Sequence, residues 1–230
     1  MPLTTTNTIK RPKTMKVLNL YAGIGGNRKL WPKECIVTAV ENNPEIAKIY
    51  RDFFPNDTVI VGDAHQYLLD HYKEFDFIWS SPPCPTHSRT NTFLHAQGIV
   101  RYPDMILYQE IIFLSSWFKG KYCVENVIPY YEPLIKSQKS GRHLFWGNFH
   151  ITDKDTEAQI GTFNRKASEF AQKRENMKYM NPNKDWLGFN LREYKIKNFD
   201  KRKILRNCVH PILGLHIFNC AFKEKQTELK

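Results

Sequence analysis

Apolar residues occur along this chain in short bursts that switch between strand-like and helix-like spacing. Lys16-Val17-Leu18-Asn19-Leu20-Tyr21 predicts a strand, ended by the turn Ala22-Gly23-Ile24-Gly25-Gly26. Ile36 to Val40 predicts a second strand, capped by Glu41. The helix between these two is predicted to be short, because Trp31-Pro32 stops it early. Pro44 to Phe54 places Ile46, Ala47, Ile49, Tyr50, Phe53 and Phe54 near helical spacing and opens on an Asn-Pro start. Thr58 to Val61 predicts a third strand, stopped by Gly62-Asp63, and Ala64 to Tyr72 a short helix. Phe75 to Trp79 predicts the fourth strand, Asp104 to Phe118 a strongly apolar helix, and Tyr122 to Val124 the fifth strand. His143 to His150 reads as another strand, and from Ile204 the pattern is helical again.

Short strands alternating with helices build βαβ units, so the expected class is α/β with a mainly parallel, Rossmann-like sheet. Gly23 to Gly26, Glu41, Asp63, Cys84 and Glu125 each fall at the carboxyl end of a predicted strand. That is the edge at which open α/β sheets bind ligands.

The segment 151–203 changes character: it is rich in Lys, Arg, Asn and Asp with scattered aromatics, a poor core sequence and a plausible surface module. The expected organisation is therefore a basic, disordered arm over 1–15, a catalytic and cofactor-binding domain over 16–150 plus 204–222, and a small insert over 151–203. The tail from Lys223 is charged.

Charge adds a partner class. With 34 Lys+Arg against 23 Asp+Glu, the formal charge is +11, which points to a polyanion such as nucleic acid. No window approaches eighteen consecutive apolar residues, so no membrane span is expected. Five cysteines, odd in number and without a CxxC pair, argue against structural zinc and a disulfide framework. That usage fits a reducing, cytoplasmic setting, and no metal site is expected.

The turn after the first strand is a place where backbone must approach a ligand closely. Glu41 can accept two hydrogen bonds from ribose hydroxyls, and Asp63 can accept from an adenine amino group. The turn lacks the GxGxxG spacing and no Lys-Ser/Thr follows it, so a phosphate-bearing cofactor is disfavoured. An adenosyl ligand without phosphates, S-adenosylmethionine, fits better. The competing reading is that Glu41 and Asp63 merely cap the helices that follow.

Cys84 stands in Ser80-Ser81-Pro82-Pro83-Cys84, on a rigid approach set by two prolines. A strand-to-loop junction in a basic protein is expected to favour the reactive thiolate. The long polar segment Pro85 to Pro103 could close over a nucleotide, with Arg89 or Arg101 on phosphate. Its His87 is a weak candidate base. Cys35, Cys123, Cys208 and Cys220 read as small buried hydrophobes.

These elements in this order resemble the DNA cytosine-5 methyltransferases. Tyr21-Ala22-Gly23-Ile24-Gly25-Gly26 is similar to the family's first motif, Glu41-Asn42-Asn43 to its second and Gly62-Asp63-Ala64 to its third. Ser81-Pro82-Pro83-Cys84 resembles the nucleophile motif and Glu125-Asn126-Val127 the catalytic carboxylate motif. Arg142-His143-Leu144-Phe145 resembles the arginine-containing strand, and Arg206-Asn207-Cys208-Val209 the last motif, which completes the cofactor pocket. The chain departs from the pattern in placing Pro85 after the cysteine, where glutamine is common, and His143 where a second arginine is usual.

The resemblance implies an S-adenosylmethionine-dependent methyltransferase fold with a small recognition insert. It implies methyl transfer to C5 of a cytosine flipped out of duplex DNA, releasing S-adenosylhomocysteine. Cys84 would add to C6. Glu125, with its pKa raised in a dry pocket, would act at N3, and Arg142 would orient the base or Glu125. Tyr21, Ala22, Gly23, Gly25, Gly26, Glu41, Asn42, Asp63, Ala64, Pro83, Asn207 and Val209 would line the cofactor. Arg89, Arg101, Arg165, Lys166 and Arg192 would meet DNA. An insert of about fifty residues leaves few side chains to read bases, so either a short recognition sequence or a partner protein is expected. The setting would be a bacterial or phage-infected cytoplasm, nucleoid-associated, as in restriction-modification. Two alternatives remain open: a tRNA cytosine-5 methyltransferase with the same motifs, and a non-catalytic nucleic-acid-binding module on this fold.

Overall fold

Met15–Leu20 (β1) and Phe77–Ser80 (β4) are buried at nearly every position, as expected of strands covered on both faces. In the computed structural model, which describes residues 14–154, 187–196 and 201–222, they form the centre of a seven-stranded sheet. Its order is β3-β2-β1-β4-β5-β7-β6, with β2 Cys35–Glu41, β3 Thr58–Val61, β5 Lys121–Val127, β6 Gln138–Ser140 and β7 His143–Gly147. The first five are mutually parallel, whereas β7 runs antiparallel to β5 and β6 antiparallel to β7. The sheet is Rossmann-like and mainly parallel. Its order reverses between β1 and β4, which makes a crevice at their carboxyl ends, the position at which such sheets take ligands.

Helices α1 (Pro44–Phe53), α2 (Ala64–His71) and α4 (Ile106–Trp117) lie in the β2–β3, β3–β4 and β4–β5 connections. A short α3 (Asn91–Ala96) precedes α4, and α5 (Lys201–Arg206) and α6 (Pro211–Phe222) close the described chain. On one face Leu18, Leu20, Ile78 and Val124 pack with Leu68 of α2 and Leu107, Ile111 and Leu114 of α4. On the other, Val17, Phe77, Trp79 and Phe145 pack with Trp31, Leu213, Ile217 and Phe218. Trp31 stacks on Phe218 at 5.3 Å and donates its indole N–H to the Gly214 carbonyl.

Several predicted elements are redrawn. No helix joins β1 to β2; residues 21–34 run through turns. Tyr21, Gly23 and Gly25 all have positive φ, at 54°, 54° and 83°, which right-handed helix cannot include. Strand β5 continues to Val127 rather than ending at Val124, because β7 pairs Glu125, Asn126 and Val127 with Phe145, Leu144 and His143. Strand β7 stops at Gly147, short of His150. Within the polar stretch 85–103, His87 and Asn91 are buried and α3 forms.

From the basic segment 151–203, Phe189 and Leu191 are fully buried against Ile24, Ile49, Ile204 and Leu205, in contrast to its expected surface character. Arg165 and Lys166, most of that segment, residues 1–13 of the basic arm and the tail from 223 lie outside the described residues. Among the described residues no helix is long and apolar enough to cross a membrane.

Candidate active site

The turn after β1 is held from below by β2. Ala22 donates its N–H to Val40 O at 3.0 Å and Gly25 to Ala22 O at 2.9 Å. Glu41 ends β2 almost fully buried. Its two oxygens accept N–H bonds from Gly23 at 3.0 Å and Asn43 at 2.9 Å. Burial raises its pKa against the pull of backbone bonds from Asn43, Gly23 and Asn42. Helix α1 is capped not by Glu41 but by Asn43, which accepts from Glu45 and Ile46. Asp63 does cap its helix: its Oδ1 accepts from Gln66 N at 2.8 Å, beside a buried Ala64.

The segment Asn207–Val209, after α5, closes on the same turn. A Cβ placed on Gly26 would lie 2.5 Å from Val209 O and 2.9 Å from Cys208 Cβ. Glycine is therefore required there by close approach, and Val209 is brought onto the glycine turn while Asn207 stays exposed. Tyr21 turns its hydroxyl away to Glu110, at 2.6 Å. Glu110, on α4, also accepts from Ser80 Oγ at 2.5 Å and meets His65 Nδ1 at 3.1 Å. It is fully buried and links the ends of β1 and β4 to the start of α2. Sequence reasoning missed it, although an acid on the buried face of an apolar helix was the available signal.

Cys84 follows β4 on the extended Ser81-Pro82-Pro83 approach, with Pro83 itself exposed. Asn126, buried, donates its side-chain amide to Pro82 O at 3.0 Å, which ties the segment leading to Cys84 to the end of β5. Glu125 precedes it, also buried, and sits close enough to act electrostatically on Cys84. The thiol is pushed up to about 11, first by burial and then by the negative charge of Glu125, with Lys203 of α5 pulling the other way. The expectation that this junction favours thiolate is thus corrected: two local effects outweigh the overall positive charge of the chain.

The side chain that meets Glu125 is His143, its Nδ1 2.5 Å from Oε1. Arg142 lies in the turn just before β7. His87 is an anchor rather than an exposed base: its Nδ1 lies 2.6 Å from Tyr131 Oη, and burial lowers its pKa. The segment after Cys84 is pinned further by Asn91 to Pro85 O at 2.8 Å, Tyr130 N to His87 O at 3.1 Å and Tyr130 Oη to Arg101 O at 3.1 Å. Arg89, Arg101 and Arg192 are exposed. Among the described residues no group of three His, Cys, Asp or Glu side chains is placed to hold a metal ion.

Residues 15–101 match the family model of the C-5 cytosine-specific DNA methylases. The human tRNA (cytosine(38)-C(5))-methyltransferase is 30% identical over 118 residues, which are 42% of this chain and 30% of that protein. The Spodoptera frugiperda protein of the same description is 31% identical over 110 residues, 40% of this chain and 33% of that one. The match thus spans about a third of the length of these curated relatives. Among solved structures, TrmN from Thermus thermophilus overlays 60% of this chain and 44% of its own at a TM-score of 0.38 and 15% identity.

Proposed function

We propose that this chain, whose residues 15–101 match the C-5 cytosine-specific DNA methylase family model, moves a methyl group from S-adenosylmethionine to C5 of a cytosine in DNA, through a transient covalent bond from Cys84. The observation that carries the reading is the juxtaposition of a cysteine thiol and a buried carboxyl at the ends of adjacent strands, tied together by Asn126 to Pro82.

The residues around the glycine turn fit an adenosyl ligand. Glu41 accepts backbone N–H bonds from Gly23 on one oxygen and Asn43 on the other, and its carboxylate has lone pairs left for a ribose hydroxyl. A Cβ on Gly23 would meet nothing within 4 Å, so the space over this turn is open. Asp63 commits Oδ1 to its helix, which leaves Oδ2 for an adenine amino group. When bound, S-adenosylmethionine supplies an electrophilic methyl on a sulfonium.

Cytosine C5 is a poor nucleophile until its ring is broken. Cys84 gives up its S–H proton to solvent as Sγ bonds to C6, and the displaced electron pair is taken up toward N3, where Glu125 stabilises it by donating a proton. C5, now enamine-like, takes the methyl group. A base removes the C5 proton, the Sγ–C6 bond breaks, and the ring regains its double bond. The cytosine must leave the duplex stack to reach Cys84, at about a few kcal/mol. Exposed Arg89, Arg101 and Arg192 are suited to phosphate, and Arg142 to the base or Glu125. Arg165 and Lys166 extend that basic set. Target choice would rest on few side chains, hence a short recognition sequence or help from a partner protein.

A second reading has one observation in its favour: the curated relatives are described as tRNA methyltransferases. Incubation with label-bearing S-adenosylmethionine and either duplex DNA or tRNA separates the two. Label in DNA is expected; label in tRNA alone moves the substrate to RNA. Cofactor binding with no label in either polymer would overturn the catalytic reading.

A further inference from the structure

We propose that His143 is the proton-holding partner of Glu125, so that the acid beside Cys84 is a two-residue dyad; this deepens the methyl-transfer reading and rests on it for its chemical role. The pair is built by the sheet. On the antiparallel β5–β7 ladder Glu125 faces Phe145 and Val127 faces His143, which puts Glu125 and His143 diagonally on one face, within reach of long side chains. Their side chains are 8% and 19% exposed, and Nδ1 and Oε1 are 2.5 Å apart. A carboxylate oxygen at hydrogen-bonding distance is best served by an Nδ1–H donor, which fixes the ring's tautomer.

A fixed cation at this place would only hold Glu125 as carboxylate. Imidazole has a second nitrogen, and this changes the proton count. With the Nδ1 proton given to Oε1, two arrangements share one total: carboxylic acid with its proton on Oε2 beside neutral imidazole, or carboxylate beside imidazolium with that proton on Nε2. The first is ready to act. As Sγ bonds to C6 and the electron pair shifts, the Oε2 proton passes to N3. The carboxylate left behind faces the Nδ1–H, and the partly exposed ring takes a proton from solvent at Nε2. When Cys84 leaves, N3 returns its proton to Glu125 and Nε2 releases its own. His143 touches no substrate in this scheme and is a positioning residue. The acid form also removes the negative charge that helps hold the Cys84 proton, so arming the acid and freeing the thiolate favour one another.

Among the described residues the groups facing the pair are few. Cys84 approaches from the nucleophile loop, with Lys203 of α5 beyond it, and Cys123 lies on β5 itself. Arg142 adjoins His143, and Ser140 of β6 pairs opposite it. Lys139 pairs opposite Leu144, on the other face of the ladder. None of these is an imidazole, so a change of pH profile on replacing His143 belongs to the dyad.

Two measurements test this. The first uses the free protein: imidazole nitrogen-15 NMR should show His143 with a proton on Nδ1 that is strongly hydrogen-bonded, and that signal should be lost in Glu125→Ala. A neutral ring protonated on Nε2 instead overturns the dyad whatever the enzyme acts on. The second follows methyl transfer. His143→Ala should lower kcat by about 100-fold, the low end for lost proton handling, with KM for cofactor and nucleic acid little changed. Added imidazole should restore part of that loss, but none of the loss in Glu125→Ala. His143→Asn keeps a donor for Oε1 yet stores no second proton, so it should stay impaired with an altered pH profile. Full activity and an unchanged profile in His143→Asn would reduce the residue to a structural prop. A wild-type protein that transfers no methyl group fails the functional reading, while the NMR result still decides the dyad.

Discussion

Replacing Glu125 with Gln should move two properties of the site in opposite directions. Burial and the Glu125 charge lift the Cys84 thiol above its ordinary range, to about 11. Near neutral pH that leaves about 100-fold less thiolate than in an unperturbed cysteine, a factor of about ten per unit. The more basic sulfur is intrinsically a better nucleophile, by roughly six- to tenfold at a Brønsted slope of about 0.4–0.5. Alkylation by iodoacetamide at neutral pH should therefore run roughly tenfold slower than for a free thiol, with log rate rising one unit per pH unit toward about 11. Removing the carboxylate charge in Glu125→Gln should shift this profile to lower pH and speed alkylation, while methyl transfer falls because the amide has no proton for N3. Rates are to be read at the Cys84 peptide by mass spectrometry across pH. The midpoint of the profile, rather than the absolute rate, cancels the slowing due to partial burial. An unchanged or slower Cys84 in Glu125→Gln would refute the electrostatic link between the two residues.

Three further outcomes follow from the same geometry. Glu41→Gln puts an amide N–H₂ against a buried backbone N–H, at a cost of about 1–3 kcal/mol, and Tm should fall by roughly 2–12 °C with weaker S-adenosylmethionine binding by calorimetry. Because burial raises the Glu41 pKa, the folded protein holds that proton more tightly than the unfolded chain, and stability declines as pH rises through the raised value; Glu41→Gln should flatten that part of the curve. Gly26→Ala forces a Cβ to 2.5 Å from Val209 O, where main chain cannot yield cheaply, and should cost about 1–3 kcal/mol in denaturant unfolding. Nucleic-acid affinity should drop steeply with salt, and Arg89→Ala and Arg101→Ala should each lower the log–log slope by about one; slopes equal to wild type would remove these arginines from the interface.

Local pattern carried much of this fold. Thr58–Val61 forms the strand its four residues predict, and the Asn-Pro start of α1 is a real cap, with Asn43 accepting two backbone N–H groups. What was not legible came from partners far away in sequence. The extension of β5 through Glu125 depends on β7, and no local feature of Glu125-Asn126-Val127 announces that ladder. The same register brings His143 to Glu125, whereas the sequence shows His143 only as a neighbour of Arg142. Net charge misled twice. It suggested a thiolate at Cys84, where burial and one adjacent carboxylate dominate over distant, screened cations. It also hid Phe189 and Leu191, two buried residues in a polar stretch, whose packing on α1 a windowed composition averages away. Glu110 could have been found, since it is the one charged residue of a helix that packs on the sheet.

The proposed methyl transfer turns on a covalent bond between Cys84 and cytosine C6. Oligonucleotides carrying 5-fluorocytosine, as duplex DNA and as RNA, should be incubated with the protein and S-adenosylmethionine and the products mapped by mass spectrometry. Fluorine cannot be eliminated as the proton is, so a stable adduct of methylated base is expected on the Cys84 peptide, dependent on cofactor and absent in Cys84→Ala. An adduct on Cys35, Cys123, Cys208 or Cys220, or turnover that persists in Cys84→Ala, would contradict it.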